Sequence, residues 1–215
     1  FCLVIYCPLA HWTWHPDGFL NKWGVLDFAG GAVVHISAGF ASLAGAIYLG
    51  KRKFKHLKSY NTSYVLLGTG MLWFGWFGFN SGSALGANED AILAFATTNT
   101  ASAICMITWL VMEGVKGHKI KVIDACIGAV VGLVIITPAA GFVNISQSMF
   151  MGAIGAVICN LFLDFFRRFD IDDSLDVFAC HGMGGIVGLL LTGIFAKDVG
   201  LFYGETTTFT NHIYA

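Results

Sequence analysis

The chain has 215 residues, of which 56% are hydrophobic and only 12% charged, with a formal net charge of −1. A soluble domain carries about 25% charged residues, so this deficit, with a mean hydropathy of +0.72, points to the bilayer. The charge balance excludes a basic nucleic-acid surface, and 6 cysteines without a CxxC pair exclude a disulfide scaffold or a zinc cluster.

A helix needs about 20 apolar residues to cross the hydrocarbon core, and charge-poor windows supply them repeatedly. The chain opens at Phe1 inside an apolar stretch, with neither an initiator Met nor a basic leader. Residues 1–14 therefore read as the tail of a span in a truncated chain. Further spans are expected at 27–50, 62–84, 90–113, 122–140, 146–167 and 176–196, with Thr137-Pro138 and Gly141 breaking the long apolar run between Ala125 and Leu163. The tail after Lys197, with Thr206-Thr207-Thr208, reads as a polar loop. All of this forms one all-α, polytopic helix bundle over residues 1–215.

The distribution of positive charge is consistent with that count. Lys51, Arg52, Lys53, Lys55 and Lys58 fill one loop, Lys116, Lys119 and Lys121 another, and Arg167 and Arg168 a third. These loops alternate along the chain and so share one side, the cytoplasmic one by the positive-inside rule. Only Lys22 and Lys197 fall opposite.

Two spans share a design. One reads DFAGGAVVHISAG from Asp27 and the other DVFACHGMGGIVG from Asp176. Each opens on an Asp, placed to cap backbone N–H groups at a helix start, and each carries a single His. They enter from opposite sides, an inverted arrangement that transporters place around a substrate path. Gly31, His35, Gly39, Ser42 and Ala46 recur at helical spacing, as do His181, Gly184, Gly188 and Thr192. Small residues let helices approach closely in lipid, so both histidines belong to faces suited to helix contact. An ionisable side chain within a span is costly and marks a pathway or proton relay.

Between them lies GTGMLWFGWFGFNSGSALGANE, from Gly68 to Glu89, with Trp73, Phe74, Trp76, Phe77 and Phe79 followed by Ser81, Ser83 and Asn88. Some of these rings suit lipid. An aromatic face beside a hydroxyl also suits a small cation, through cation–π attraction and a hydrogen-bond acceptor. Trp12 and Trp14 fall on the same external side.

Taken together, DFAGGAVVHISAGFASLAGAIYLGKR, GWFGFNSGSALGANE, TPAAGFV and DVFACHGMGGIVG resemble the ammonium transporter family, in its order and spacing, across essentially the whole chain. The resemblance implies movement of ammonium or ammonia through a hydrophobic pore in a homotrimer of 11-span subunits, in the plasma membrane, without cofactor, metal or nucleic acid. It implies that His35 and His181 are twin pore histidines and that Trp14 and Ser83 recruit external ammonium. Phe79 matches the inner of two gating phenylalanines, Trp76 lines the path, and Asp27 organises the region beneath the recruiting site. By that alignment the chain begins in the fourth span and ends before the eleventh, and the segment from His15 to Val25 is longer than in compact bacterial relatives. The Rhesus-type ammonia channels share the histidines but generally lack the Trp and Ser pair. An ammonium sensor on the same fold and a membrane metalloenzyme are the rival readings, the latter without any HExxH spacing to support it.

Overall fold

The computed structural model describes residues 1–53, 61–169, 171–204 and 206–214. Lys55 and Lys58 of the first basic loop lie outside them. The described residues are helical throughout: α1 (Cys7–Trp14, preceded by a π-helical turn Cys2–Tyr6), α2 (Phe19–Lys22), α3 (Ser37–Leu49, continuing a π turn Gly31–Ile36), α4 (Thr62–Gly82), α5 (Glu89–Val115), α6 (Val122–Ile136), α7 (Ile145–Phe166), α8 (Gly184–Phe195, continuing a π turn Phe178–Met183) and α9 (Thr206–Tyr214). Helices thus occupy every stretch expected to span. Among the described residues, Gly31–Leu49, Glu89–Val115, Ile145–Phe166 and Phe178–Phe195 are long and apolar enough to cross a membrane. The tail differs from its expectation as a loop: Thr206–Tyr214 is a helix. It is held by Asn211 Nδ2 on the Trp23 carbonyl and by the buried His212, whose Nε2 lies 3.0 Å from the Leu26 N.

The core is built on α6. With 15 residues it is short, and Val131, Leu133, Val134, Ile135 and Ile136 are fully enclosed between α5, α7, α4 and α8. Its end is written in Thr137-Pro138. Pro138 has no N–H to give, so the helical ladder stops there, and the Thr137 N–H turns to the Val134 carbonyl at 3.2 Å. That leaves the Leu133 carbonyl to the Thr137 hydroxyl, which donates to it at 2.8 Å. The chain entering α3 docks on this break: Phe28 N–H reaches the Pro138 carbonyl at 3.0 Å and Ala29 N–H the Thr137 carbonyl at 3.2 Å.

The two histidine helices cross against each other backbone to backbone. A Cβ added to Gly39 would lie 2.3 Å from the Gly182 Cα, and one added to Gly185 would lie 2.9 Å from the Gly31 carbonyl oxygen. Phe40 then packs edge-on against Phe178 with ring centres 5.2 Å apart. Of the small-residue faces read from sequence, Gly31 and Gly39 enter this contact, whereas on the second helix Gly182 and Gly185 do so and Gly184 and Gly188 pack on α6, at Val134 and Ile135. Dispersion over such close surfaces is what holds helices together in lipid.

Ion pairs tie the basic loops at one end of the bundle. The Arg52 guanidinium grips Asp172 and donates to the Ser174 Oγ at 2.7 Å, while the Arg52 N–H also reaches Asp172 at 2.8 Å. Lys116 pairs with Asp164, and Arg167 with Asp176 at 2.6 Å. The Arg52 donors hold the Asp172 carboxyl down to about 2. A depressed folded-state value contributes stability that is complete above the ordinary carboxylate range and fades as pH falls toward 2.

Two outcomes are expected. Gly39→Ala forces backbone against backbone and lowers stability by about 1–3 kcal/mol, seen as a lower melting midpoint in detergent. Gly114→Ala, where the new methyl meets only Ile120 Cδ1 at 3.8 Å, leaves it unchanged or raises it. Asp172→Asn lowers the midpoint at pH 7, and its deficit against the parent narrows as pH is taken below about 4.

Candidate functional site: a histidine pair beneath an aromatic wall

Asp27 sets the first histidine. Gly30, at φ +111°, turns the chain back over the carboxylate, a conformation that glycine adopts without penalty. Asp27 Oδ1 then accepts from the N–H groups of Gly30 (3.0 Å) and Gly31 (2.6 Å), and Oδ2 from those of Ala32 (2.9 Å) and Val33 (3.3 Å). These are the orphan donors of a helix start, satisfied by one buried anion that also complements the helix dipole. The turn that follows is π-helical and carries His35; the second histidine, His181, also sits in a π turn. Such wide turns are uncommon and concentrate at functional positions.

The expected counterpart cap is displaced. Asp176 was the residue expected to cap the second histidine helix, but its carboxylate takes the Arg167 guanidinium, and its own backbone is strained at φ 54°. The capping is done by Asp173, whose Oδ2 accepts from the Phe178 N–H at 2.7 Å and whose Oδ1 accepts from Ser42 of α3 at 3.4 Å. Asp27 and Asp173 each stand eight residues ahead of their histidines, the spacing that marks them as the matched pair. An Arg nine residues before Asp176 claimed that carboxylate instead.

The two imidazoles meet, with His35 Nδ1 and His181 Nδ1 3.2 Å apart. His35 is 4% exposed. Trp76 stacks on its face, ring centres 5.2 Å apart and planes 15° from parallel, and Phe79 lies tilted at 6.2 Å. A cavity of about 330 Å³ runs along this wall, lined by Val34, His35, Met71, Leu72, Gly75, Trp76 and Phe79. His35 is the one ionisable side chain in that lining.

Thr137 is a site residue that sequence reasoning used as a helix break and as part of the TPAAGFV motif, without a role in the site. Its hydroxyl accepts from Trp76 Nε1 at 2.9 Å and lies 3.3 Å from His35 Nε2. A hydroxyl beside a Pro within a charge-free run was the available signal.

Trp14 and Ser83 are placed separately from this cluster. The Trp14 indole N–H donates to the Asp27 carbonyl at 2.7 Å, so the helix cap also fixes the ring. The Ser83 hydroxyl donates to the Phe79 carbonyl at 3.0 Å, keeping its oxygen lone pairs as acceptors. Of the other aromatics in α4, Phe77 stacks on Phe95 at 4.2 Å and Phe74 is exposed on the outside of the bundle. Asn88 caps α5 through the Ala91 N–H at 3.0 Å.

An all-helical bundle of apolar helices, with a buried imidazole pair against an aromatic-lined cavity, defines an integral membrane protein of the channel and transporter kind. The comparisons agree: the profile of the Ammonium Transporter Family matches residues 1–215, and the chain belongs to that family. It is 50% identical over 209 residues to the ammonium transporter of Aquifex aeolicus, covering 94% of this chain and 49% of that protein. It is 49% identical over 219 residues to a putative ammonium transporter of Methanothermobacter thermautotrophicus, covering 98% and 54%. The crystal structure of Saccharomyces cerevisiae Mep2 superposes with a TM-score of 0.92 at 37% identity, covering 98% of this chain and 51% of that one. A structure described as a sensor Amt protein superposes with a TM-score of 0.89 at 31% identity, covering 98% and 56%. The chain spans about half the length of the relatives it matches.

Asp27→Asn tests the cap. The new amide would turn N–H donors toward those of Ala32 and Val33, so a loss of about 1–3 kcal/mol is expected, read as a lower melting midpoint of the full-length protein. Stability equal to the parent would mean the cap is dispensable.

Proposed function

We propose that the protein containing this chain moves ammonium or ammonia across a membrane, with His35 and His181 on the substrate path. The observation that carries this reading is the pair of touching imidazoles at the edge of an otherwise apolar, aromatic-walled cavity. A bare cation in such surroundings loses its hydration at a cost of several kcal/mol. Neutral ammonia does not carry that cost. A path that strips the proton and passes ammonia therefore needs groups that can accept a proton or a hydrogen bond, and imidazoles supply both. Like charges in low dielectric disfavour a second proton on so close a pair, so the two rings share at most one.

Recruitment fits Trp14 and Ser83. With its N–H bonded to the Asp27 carbonyl, Trp14 has its π face left for a cation, and Ser83 keeps acceptor lone pairs for an ammonium N–H. Phe79 restricts passage toward His35, and Trp76 forms the wall. The full-length protein is read as a homotrimer in the plasma membrane, working without cofactor or metal and performing no enzymatic step. A sensing role on the same fold is a second reading, favoured by the likeness to the sensor Amt protein.

Transport is tested by growth rescue of cells lacking ammonium uptake with the full-length parent protein. Rescue is expected from the parent and not from His35→Ala, His181→Ala or the double variant at equal surface expression, with the double little worse than the worse single. Rescue by the double variant would remove the histidines from the path. Trp14→Leu and Ser83→Ala each delete an interaction of about 0.5–2 kcal/mol, so each weakens the apparent affinity by about 2- to 30-fold. Unchanged saturation curves in both would remove the recruiting assignment.

A further inference from the structure

Three polar contacts converge on the hydroxyl oxygen of Thr137. The Thr137 hydroxyl has one hydrogen and two lone pairs. Its hydrogen is committed to the Leu133 carbonyl at 2.8 Å. That commitment is forced from below, because Pro138 offers no N–H and the Thr137 N–H has moved to Val134, so that a hydroxyl turned elsewhere would leave the buried Leu133 carbonyl without this donor. One lone pair takes the Trp76 Nε1–H at 2.9 Å. The other faces His35 Nε2 at 3.3 Å. Only a proton on that nitrogen makes the contact attractive.

The consequence passes to the second ring. A neutral His35 protonated at Nε2 has a bare Nδ1, and that atom lies 3.2 Å from His181 Nδ1. His181 must then donate from Nδ1, which leaves its Nε2 unprotonated. Neither ring's intrinsic preference opposes this. Both possible arrangements of the pair contain one ring protonated at Nε2 and one at Nδ1, so intrinsic tautomer energies cancel and the surroundings decide.

We propose that Thr137 is a positioning residue that fixes the polarity of the pair, His181 donating and His35 accepting, and so makes His181 Nε2 its free base. The consequence for transport rests on the function proposed above; the protonation pattern stands without it. Ammonium gives a proton to the Nε2 lone pair of His181, leaving ammonia and an imidazolium. The Nδ1 proton of that imidazolium can cross the existing hydrogen bond to His35 Nδ1. His181 is then neutral and protonated at Nε2, and the positive charge resides on His35. Return of a proton to ammonia reverses these steps, so no net proton is created or lost.

The test is solid-state NMR of ¹⁵N-histidine-labelled full-length protein in lipid bilayers, at a pH where the imidazoles are neutral, with signals assigned by their loss in His35→Gln and His181→Gln. The parent is expected to show His35 protonated at Nε2 and His181 at Nδ1. Thr137→Ser keeps that pattern. Thr137→Val, of nearly the same shape but without a hydroxyl, brings the two arrangements to within about tenfold of each other and slows ammonium flux while leaving half-saturation within about twofold. A parent with the reverse pattern overturns the proposal, as does a Thr137→Val protein that keeps the parental one. Should Thr137→Val fail to insert, the parent and Thr137→Ser spectra decide alone. A parent that shows the expected pattern but no flux would count against the transport reading and leave the positioning role standing.

Discussion

The crossing of the two histidine helices governs the rest of the structure. At Gly39 and Gly182 the backbones stand so close that one added carbon would sit 2.3 Å from its neighbour. In water such a contact would be assisted by apolar burial; in lipid it depends on dispersion and close fit. It is this approach, with its continuation at Gly31 and Gly185, that brings two single histidines from distant parts of the chain to 3.2 Å. Side chains larger than hydrogen at the crossing would separate the rings, and with them the imidazole pair that joins the two helices.

The surrounding devices keep that crossing in register. Asp27 closes the start of the first helix, fixes Trp14 through its own carbonyl, and so links the outer surface to the turn that carries His35. Asp173 does the corresponding work at the opposite end and reaches across to Ser42 on the first helix. The Thr137-Pro138 break completes the frame: it ends α6, receives the Asp27 loop, and presents a hydroxyl to both Trp76 and His35. One dipeptide thus serves backbone termination, docking and side-chain placement together.

Much of this was legible in the amino-acid sequence, for identifiable reasons. Charge-free windows showed the helices because a bilayer tolerates little else, and the small-residue periodicity picked out Gly31 and Gly39 of the crossing but not Gly182 and Gly185 opposite them. His35 and His181 stood out because a span rarely carries an ionisable side chain. What escaped depended on competition between partners. Asp176 looked like a cap by position, yet Arg167 offered it a charge-assisted bond and the cap fell to Asp173. Thr137 looked like punctuation because its contacts to Trp76 and His35 reach residues far away in the chain. The segment Thr206–Tyr214 looked like a loop because threonine is a poor helix former, and contacts made by Asn211 and His212 outweigh that preference.

On the function proposed here, ammonium is to be told from a potassium ion of similar size, and an apolar cavity whose one ionisable lining side chain is His35 would do so by removal of a proton that potassium does not have. The most direct measurement is therefore flux through the purified full-length protein in liposomes under matched gradients of ammonium and potassium. Saturable entry of ammonium with potassium at the level of protein-free vesicles is the result expected. Equal passage of both ions would contradict it, because it would mean that the path carries hydrated cations and that the histidine pair does not act on the substrate.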